Sequence, residues 1–238
     1  MIVISAECNE VSGKLLPSTL VPEPARRGGG RLISRNVIFW EVDTQADFML
    51  PGGKLYVPGA EKIIPNLKRL VDAARARRVL LVSDACQHTP DDPEFKTFPP
   101  HCVRGTPGAQ IVPEALADTC LTVPNERGFK LPANLFDYQQ VVIEKQTLDV
   151  FDNPATDEIV RRLTKDAHYF VFGVVTEYCV RLAARGLVER RRKVSLVQDA
   201  IETLKPEDGR RTCDELRSMG ADFVSTEDAL AALESSQP

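Results

Sequence analysis

The chain lacks an apolar run long enough to cross a membrane, and it lacks a large excess of charge of either sign. A transmembrane helix needs about 20 consecutive, mostly apolar residues, and no such run occurs. The net charge is −4, and the four-residue basic cluster at residues 190–193 falls at the predicted end of a helix, where cations suit the helix dipole. These absences argue against a membrane protein and against a nucleic-acid-binding surface.

The cysteines lack the paired spacing of a disulfide framework. No secretory signal is recognisable ahead of them, because the apolar run at residues 1–6 is too short. We therefore expect a cytoplasmic protein with free thiols. The six cysteines are Cys8, Cys86, Cys102, Cys120, Cys179 and Cys213.

Residues 1–34 differ from the rest of the chain. They contain the segment PSTLVPEPARRGGGR, which is rich in proline, glycine and arginine and has no apolar period. We expect a poorly ordered N-terminal arm here. Residues 35–238 are long enough to form one α/β domain with a full core.

In that domain, short apolar runs alternate with amphipathic segments. Amphipathic helices are predicted at residues 63–77, 152–165, 206–219 and 226–233, with another directly after the strand at 169–175. Strands that alternate with helices in this way predict a parallel, doubly wound sheet. Six core strands are predicted at residues 36–42, 79–82, 140–144, 169–175, 194–197 and 221–225, and a small additional strand at 119–124.

Cys179 follows the buried strand at residues 169–175 and falls in the first turn of the next helix. Open α/β sheets bind ligands at the carboxyl ends of their strands. A helix N-terminus lowers the pKa of a thiol and offers N–H groups to an oxyanion. Cys179 is therefore a candidate nucleophile, and the alternative is a small residue that packs the helix onto the sheet.

Two charged residues are predicted at the same edge of the sheet as Cys179. Asp43 ends the first core strand, and Lys145 ends the strand at residues 140–144. Taken alone, Asp43 could cap a turn and Lys145 could be a solvated loop residue. An acid, a cation and a thiol at one edge of the sheet are suited to covalent acyl chemistry, and Asp43, Lys145 and Cys179 supply them.

Several motifs of the chain resemble those of the isochorismatase-like cysteine hydrolases, a family that includes the nicotinamidases and related amidohydrolases. In chain order they read VDTQADF, PGG, FPPHCVRGTPGA, EK, GVVTEYCV and VQDA. The resemblance runs from about residue 36 to the end of the chain. It places the family's catalytic triad on Asp43, Lys145 and Cys179, and it implies a three-layer α/β/α fold with a six-stranded parallel sheet.

The resemblance implies hydrolysis of a small amide through a thioester on Cys179. Asp43 takes the thiol proton, Lys145 holds the negative charges in place, and the thiolate attacks the carbonyl. Backbone N–H groups of Val175 and Cys179 would hold the oxyanion, and the family's cis peptide maps to Val174–Val175. The family places aromatic rings against a flat substrate at two matching positions, although core packing is the alternative for both. These positions are Phe48 and Phe98.

The metal-binding pattern of the nicotinamidases is altered in this chain. In those enzymes an Asp-x-His pair, a second histidine and the histidine of PPHC bind a metal. Here Asp84 and His88 are four residues apart rather than two, and Glu94 stands where the second histidine would be. With His101 these residues could bind one divalent metal (Zn, Mn or Fe), or they could bind substrate or each other. The same loops contain two cysteines, Cys86 and Cys102. We interpret both as small buried thiols rather than as metal ligands.

Three functions follow as hypotheses. The leading one is a cysteine-dependent amidohydrolase acting on a small, nicotinamide-like amide. The second is hydrolysis of a vinyl ether, as in the isochorismatases proper, although those enzymes lack the nucleophilic cysteine. The third is a non-catalytic small-molecule-binding member of the fold. We expect a homo-oligomer whose partner is a small-molecule substrate, with neither nucleic acid nor membrane involved.

Overall fold

The fold is a seven-stranded parallel sheet between two layers of helices. The structure is a computed structural model that describes residues 34–235, so nearly all of the predicted arm at 1–34 lies outside the described residues. The strand order is β3-β4-β2-β1-β5-β6-β7, and every neighbouring pair is parallel. The strands are β1 Ser34–Val42, β2 Val79–Cys86, β3 Cys120–Val123, β4 Gln140–Lys145, β5 His168–Gly173, β6 Lys193–Ile201 and β7 Asp222–Val224.

The predicted fold class is confirmed, with one more strand than the six that the resemblance implied. The additional strand is β3, which the sequence indicated only as a small strand at residues 119–124. It lies at the edge of the sheet and pairs with β4 alone, from Cys120↔Gln140 to Val123↔Ile143. A four-residue edge strand carries a weak sequence signal because it has few residues in which to alternate.

Six α-helices complete the two outer layers in the described part of the chain. One difference from the prediction is the segment at residues 152–165, where a 3₁₀ turn at Val150–Asp152 precedes a short α-helix. Asn153 separates the two, because its side chain accepts a hydrogen bond from Ala155 N at 2.8 Å. The helices are α1 Ala46–Met49, α2 Ile64–Arg75, α3 Thr156–Arg162, α4 Arg181–Glu189, α5 Pro206–Ser218 and α6 Thr226–Ser235.

Alternating side chains of β1 face the two helical layers. Trp40 belongs to the core under α3 and α4, together with Ile159 and Leu187. Phe39 belongs to the core on the opposite face, under α2 and α6. Because both faces of the strand are covered, its sequence is apolar almost throughout, as expected for a central parallel strand. None of the helices in the 34–235 range has the length and apolar character that a membrane crossing demands.

The central strands bring four chain segments to one edge of the sheet. β1 lies between β2 and β5, and β4 lies beyond β2. The register pairs Val42 with Gly173 on one side and with Asp84 on the other, and it pairs Cys86 with Lys145. The carboxyl ends of these strands therefore meet at β1, where the strand order reverses, and this is the place where open α/β sheets form ligand sites.

Candidate active site

Lys145 is the centre of a buried polar cluster at this edge of the sheet. It ends β4, and its side chain is about 1% exposed. Its Nζ donates to Asp43 Oδ2 at 2.7 Å and lies 3.5 Å from Cys179 Sγ and 3.0 Å from Cys86 Sγ. A buried ammonium is stable only when it is paired, and here Asp43 lies closest, with two sulfur atoms and the more distant Asp84 around it. The structure thus brings together the three residues predicted for the triad.

The carboxylate of Asp43 is fixed through both of its oxygens. The residue follows β1 with a left-handed backbone (φ 47°), and its N–H donates to Asp84 O at 3.0 Å. Oδ1 accepts from Cys86 N at 3.2 Å, while Oδ2 accepts from Lys145. Left-handed backbone is uncommon for a non-glycine residue, although aspartate tolerates it better than most. This turn directs the side chain toward Lys145.

Cys179 lies in a single π-helical turn, Thr176–Val180, that precedes α4. The Val174–Val175 peptide bond before it is cis. The carbonyl of Val175 accepts from both Tyr178 N and Val180 N, at 3.0 and 3.2 Å. The sequence predicts an ordinary helix start here, so the wider turn is a difference. Single π turns occur often at functional sites, where they change the direction of a side chain.

The π turn is attached to the segment that follows β6. Thr176 donates to Glu202 O through its backbone N–H at 2.8 Å and through its hydroxyl at 2.7 Å. The carboxylate of Glu177 accepts from Leu204 N and Lys205 N, both at 3.0 Å. These bonds fix the backbone on which Cys179 sits, so the thiol position depends on two loops rather than one.

The electrostatics of the site keep the resting thiol protonated. Burial raises the pKa of Cys179 well above its ordinary value, and the charge of Asp43 raises it further, while Lys145 opposes both. The expected lowering by a helix N-terminus is therefore wrong, because burial outweighs it. For Lys145 itself, burial disfavours the ammonium, but the negative groups around it, Asp43 first, hold its pKa above the usual range. Activation of Cys179 thus needs a base beside it.

A small cavity opens onto Asp43, Cys86 and Cys179. Both predicted aromatic residues line it: Phe48 meets the ring of His101 edge-on at 5.2 Å between centroids, and Phe98 meets Tyr178 at 5.8 Å. Aromatic walls of this kind suit a flat ligand. Four further residues line the cavity that the sequence did not indicate as site residues: Leu55, Leu148, Tyr178 and Leu204.

Beside this cavity, the loop after β2 brings together possible metal ligands. Glu94 Oε1 lies 4.0 Å from Nε2 of His88 and 3.8 Å from Nε2 of His101. Burial lowers the pKa of His101, which favours the neutral ring that binds metals. Among the described residues, neither Glu94 Oε1 nor either ring nitrogen of His88 has a hydrogen-bond partner. Buried polar atoms left in this state fit a divalent cation between them.

The structure does not bring Asp84 to this group. Its Oδ2 accepts from Trp40 Nε1 at 2.9 Å, and its Oδ1 lies 3.7 Å from Lys145 Nζ. Burial raises its pKa to about 8, with Lys145 opposing. Asp84 lies two residues before the end of β2, roughly 6–7 Å below the edge of the sheet. It therefore supports the lysine from beneath and does not face the histidines.

The residue that does meet the two histidines is Cys86, which the sequence reasoning treated as a packing thiol. Donor atoms of Cys86, His88 and His101 all lie within 4.8 Å of one another, and all three residues are buried. A signal was present in the sequence, because Cys86 and His88 have the two-residue spacing that Asp84 and His88 lack.

Known proteins share parts of this sequence and its fold. A protein described as a probable inactive nicotinamidase of Arabidopsis thaliana is 30% identical over 87 residues, which are 33% of this chain and 44% of that protein. The zinc-bound pyrazinamidase of Pyrococcus horikoshii is 29% identical, with a TM-score of 0.64 over 80% of this chain and 99% of that one.

A second structure and a family model extend the likeness along the chain. An isochorismatase family protein from Desulfovibrio vulgaris is 25% identical, with a TM-score of 0.64 over 83% of this chain and all of that one. The family model of the isochorismatase domain matches residues 38–127 and 118–228. Because these two segments together cover well over half of the sequence, the chain belongs to the isochorismatase family.

Proposed function

We propose that this protein is a cysteine-dependent amidohydrolase that cleaves a small amide through a thioester intermediate. The observation that carries the proposal is the position of Lys145 Nζ, 2.7 Å from Asp43 Oδ2 and 3.5 Å from Cys179 Sγ, behind a cavity that Asp43 and Cys179 line. A nucleophile, a base and a cation within reach of one another match the requirements of covalent acyl transfer. The family consists of hydrolases, which agrees with this chemistry.

In the first half of the proposed reaction, Asp43 takes the proton of the Cys179 thiol while the Lys145 ammonium balances the negative charge that forms on sulfur. The thiolate attacks the amide carbonyl, and the oxyanion accepts hydrogen bonds from the backbone N–H groups of Val175 and Cys179. The C–N bond then breaks. Asp43 returns the proton to the leaving nitrogen, so that ammonia or an amine departs and a thioester remains on Cys179.

In the second half, water replaces the amine in the cavity. Asp43 takes a proton from this water, and the hydroxide attacks the thioester carbonyl. The C–S bond breaks, the carboxylic acid leaves, and the proton held by Asp43 returns to the sulfur of Cys179. Asp43 acts as the base in both halves, and Lys145 Nζ lies 2.7 Å from its Oδ2.

The cavity walls support a substrate class. Phe48, Phe98 and Tyr178 face a narrow space that leads to Cys179. Aromatic rings of this kind suit a flat aromatic carboxamide. We therefore propose a nicotinamide-like amide. This agrees with the pyrazinamidase activity named for the Pyrococcus horikoshii protein.

A divalent metal is proposed beside the cavity as a resident ion. His88, Glu94 and His101 would hold it through two imidazoles and one carboxylate. When bound, such a cation can orient the substrate and lower the pKa of a water molecule. Homo-oligomer formation and a cytoplasmic location stay predictions.

Ammonia release across a panel of small amides tests the function. The panel should contain nicotinamide, pyrazinamide and aliphatic amides of similar size, and loss of isochorismate should be followed separately as the vinyl ether control, because its cleavage releases no ammonia. We expect turnover of at least one aromatic carboxamide and none of isochorismate. Cleavage of isochorismate with all amides untouched would favour the vinyl ether alternative. Binding of an aromatic amide without any ammonia release would favour the non-catalytic alternative.

A further inference from the structure

The sulfur of Cys86 completes a set of convergent donor atoms next to the cavity. Its Sγ and one donor atom each of His88 and His101 lie within 4.8 Å of one another, with all three residues buried. For a tetrahedral zinc ion with Zn–S of 2.3 Å and Zn–N of about 2.05 Å, such atoms are about 3.5 Å apart. A small contraction of the loop therefore brings the three atoms to coordination distance.

The two histidines are oriented as metal ligands are. Nδ1 of His101 lies 2.8 Å from Pro99 O, which leaves Nε2 for the cluster. Nδ1 of His88 lies 3.1 Å from Asp92 Oδ2 without the geometry of a hydrogen bond, and its Nε2 faces Glu94. In metal sites an oxygen atom commonly holds one ring nitrogen while the other binds the ion.

Unsatisfied buried atoms give independent support for a bound ion. His88 is fully buried, and within residues 34–235 its Nε2, the nitrogen that faces Glu94, has no hydrogen-bond partner. The same is true of Glu94 Oε1, which faces Nε2 of both histidines. Leaving such buried atoms unpaired is unfavourable, so two of them that face one another across one space indicate a cation there.

The backbone of Cys86 is held so that its sulfur stays at this place. Its N–H donates to Gln45 Oε1 at 2.8 Å, and its carbonyl accepts from Gln45 Nε2 at 2.7 Å. On its other side the sulfur is 3.0 Å from Lys145 Nζ. The sulfur thus lies between the cationic lysine and the two imidazoles.

We propose that Cys86 is a thiolate ligand of a four-donor metal site that His88, Glu94 and His101 complete. Binding exchanges the thiol proton of Cys86 for the ion, and the proton leaves to solvent. A thiolate with two imidazoles favours Zn²⁺ or Co²⁺ over Mn²⁺ and Mg²⁺, which prefer oxygen ligands. The inference stands apart from the proposed hydrolysis, because metal binding is measured without a substrate.

Cobalt spectroscopy of the metal-free, full-length protein tests the proposal. We expect added Co²⁺ to give one-to-one binding with thiolate-to-cobalt charge-transfer absorption in the near ultraviolet. In Cys86→Ser that absorption should disappear, and Co²⁺ should bind at least tenfold more weakly. The matched controls are Cys102→Ser, whose sulfur adjoins Gly108 O, and Cys179→Ser, and both should keep the absorption.

Two results would overturn the proposal. One is a charge-transfer absorption that survives in Cys86→Ser and is lost in either control. The other is one-to-one Co²⁺ binding by the unaltered protein without any such absorption. If Cys86→Ser does not fold, X-ray absorption of the zinc-loaded unaltered protein decides the question. One sulfur neighbour at about 2.3 Å supports the proposal, and a shell of nitrogen and oxygen alone refutes it.

Discussion

At the scale of single residues, Cys179 carries the proposed chemistry and Cys86 is its natural comparison. Both sulfur atoms lie within 3.5 Å of Lys145 Nζ, and both line the cavity. Only Cys179 also lies on the π turn, and its own N–H and that of Val175 just before the turn are proposed to hold the oxyanion. The account therefore assigns the nucleophile to Cys179 and the metal to Cys86.

Replacing Cys179 with alanine should remove turnover and leave the fold intact. Loss of the nucleophile removes the covalent pathway, so we expect a fall in rate of at least a thousandfold. Ammonia release and circular dichroism are the measurements. Cys120→Ser is the control, because that sulfur adjoins Ala117 O and Gln140 Oε1, which a hydroxyl can also reach. Residual activity within tenfold of the parent would remove Cys179 from the mechanism.

Asp43→Asn and Lys145→Met should each lower the rate by on the order of a hundredfold or more, through lost proton transfer and lost charge balance. The double variant should lose less than the product of the two factors, because the residues act as one unit. Steady-state rates of the three variants measure this. Losses that simply multiply would mean that the two residues act at separate steps.

Lys145→Met should also destabilise the protein. The variant leaves Asp43 buried without its cation. Breaking a buried pair in this way costs about 3–5 kcal/mol. Urea unfolding at neutral pH should show a loss of this size, whereas the exposed change Lys165→Met should show almost none. An unchanged midpoint for Lys145→Met would contradict the buried pairing.

At the scale of elements, a polar contact crosses three central strands beneath the site. Glu41 of β1 accepts from Ser83 of β2 at 2.8 Å and from Gln140 of β4 at 3.2 Å. Burial raises the pKa of Glu41 to about 8, against the hydrogen bond from Ser83. The folded state thus holds this proton more tightly than the unfolded chain, in which the pKa is near 4.5.

The sign of the resulting pH dependence follows from linkage. The folded chain binds more protons than the unfolded chain between pH 4.5 and about 8, so the free energy of unfolding falls as pH rises through that window. The loss should be on the order of a few kcal/mol. Urea unfolding at pH 5 and pH 8.5 should show that the free energy of unfolding falls clearly less between these two pH values in Glu41→Gln than in the parent protein. The exposed control Glu126→Gln should match the parent. An equal fall in the free energy of unfolding in both variants would refute the explanation by a buried acid.

The elements also show which parts of the structure the sequence predicts. The apolar runs that form β1 and β5 are long and covered on both faces, so their positions and the convergence of Asp43, Lys145 and Cys179 follow from pattern alone. The π turn does not follow from the sequence pattern, because residue types specify a helix start but not the hydrogen-bond register within it. The place of Cys86 depends on the register of β2 against β4 and on the path of the following loop.

At the scale of the whole molecule, the domain from β1 to α6 contains both core layers and the complete candidate site. Removing residues 1–32 should therefore change stability and activity little, since that segment has no apolar period with which to join a core. Thermal unfolding and ammonia release of the shortened chain measure this. A fall in melting temperature of more than a few degrees would show that the segment packs against the domain.

The most direct test of the central claim is to trap the covalent intermediate. Turnover of an aromatic carboxamide is stopped with acid within milliseconds, and the digested protein is analysed by mass spectrometry. The account predicts the acyl group of the substrate on the peptide that contains Cys179 and no acyl group on that peptide in Cys179→Ala. An acyl group on Cys86, or full turnover by Cys179→Ala, would contradict it.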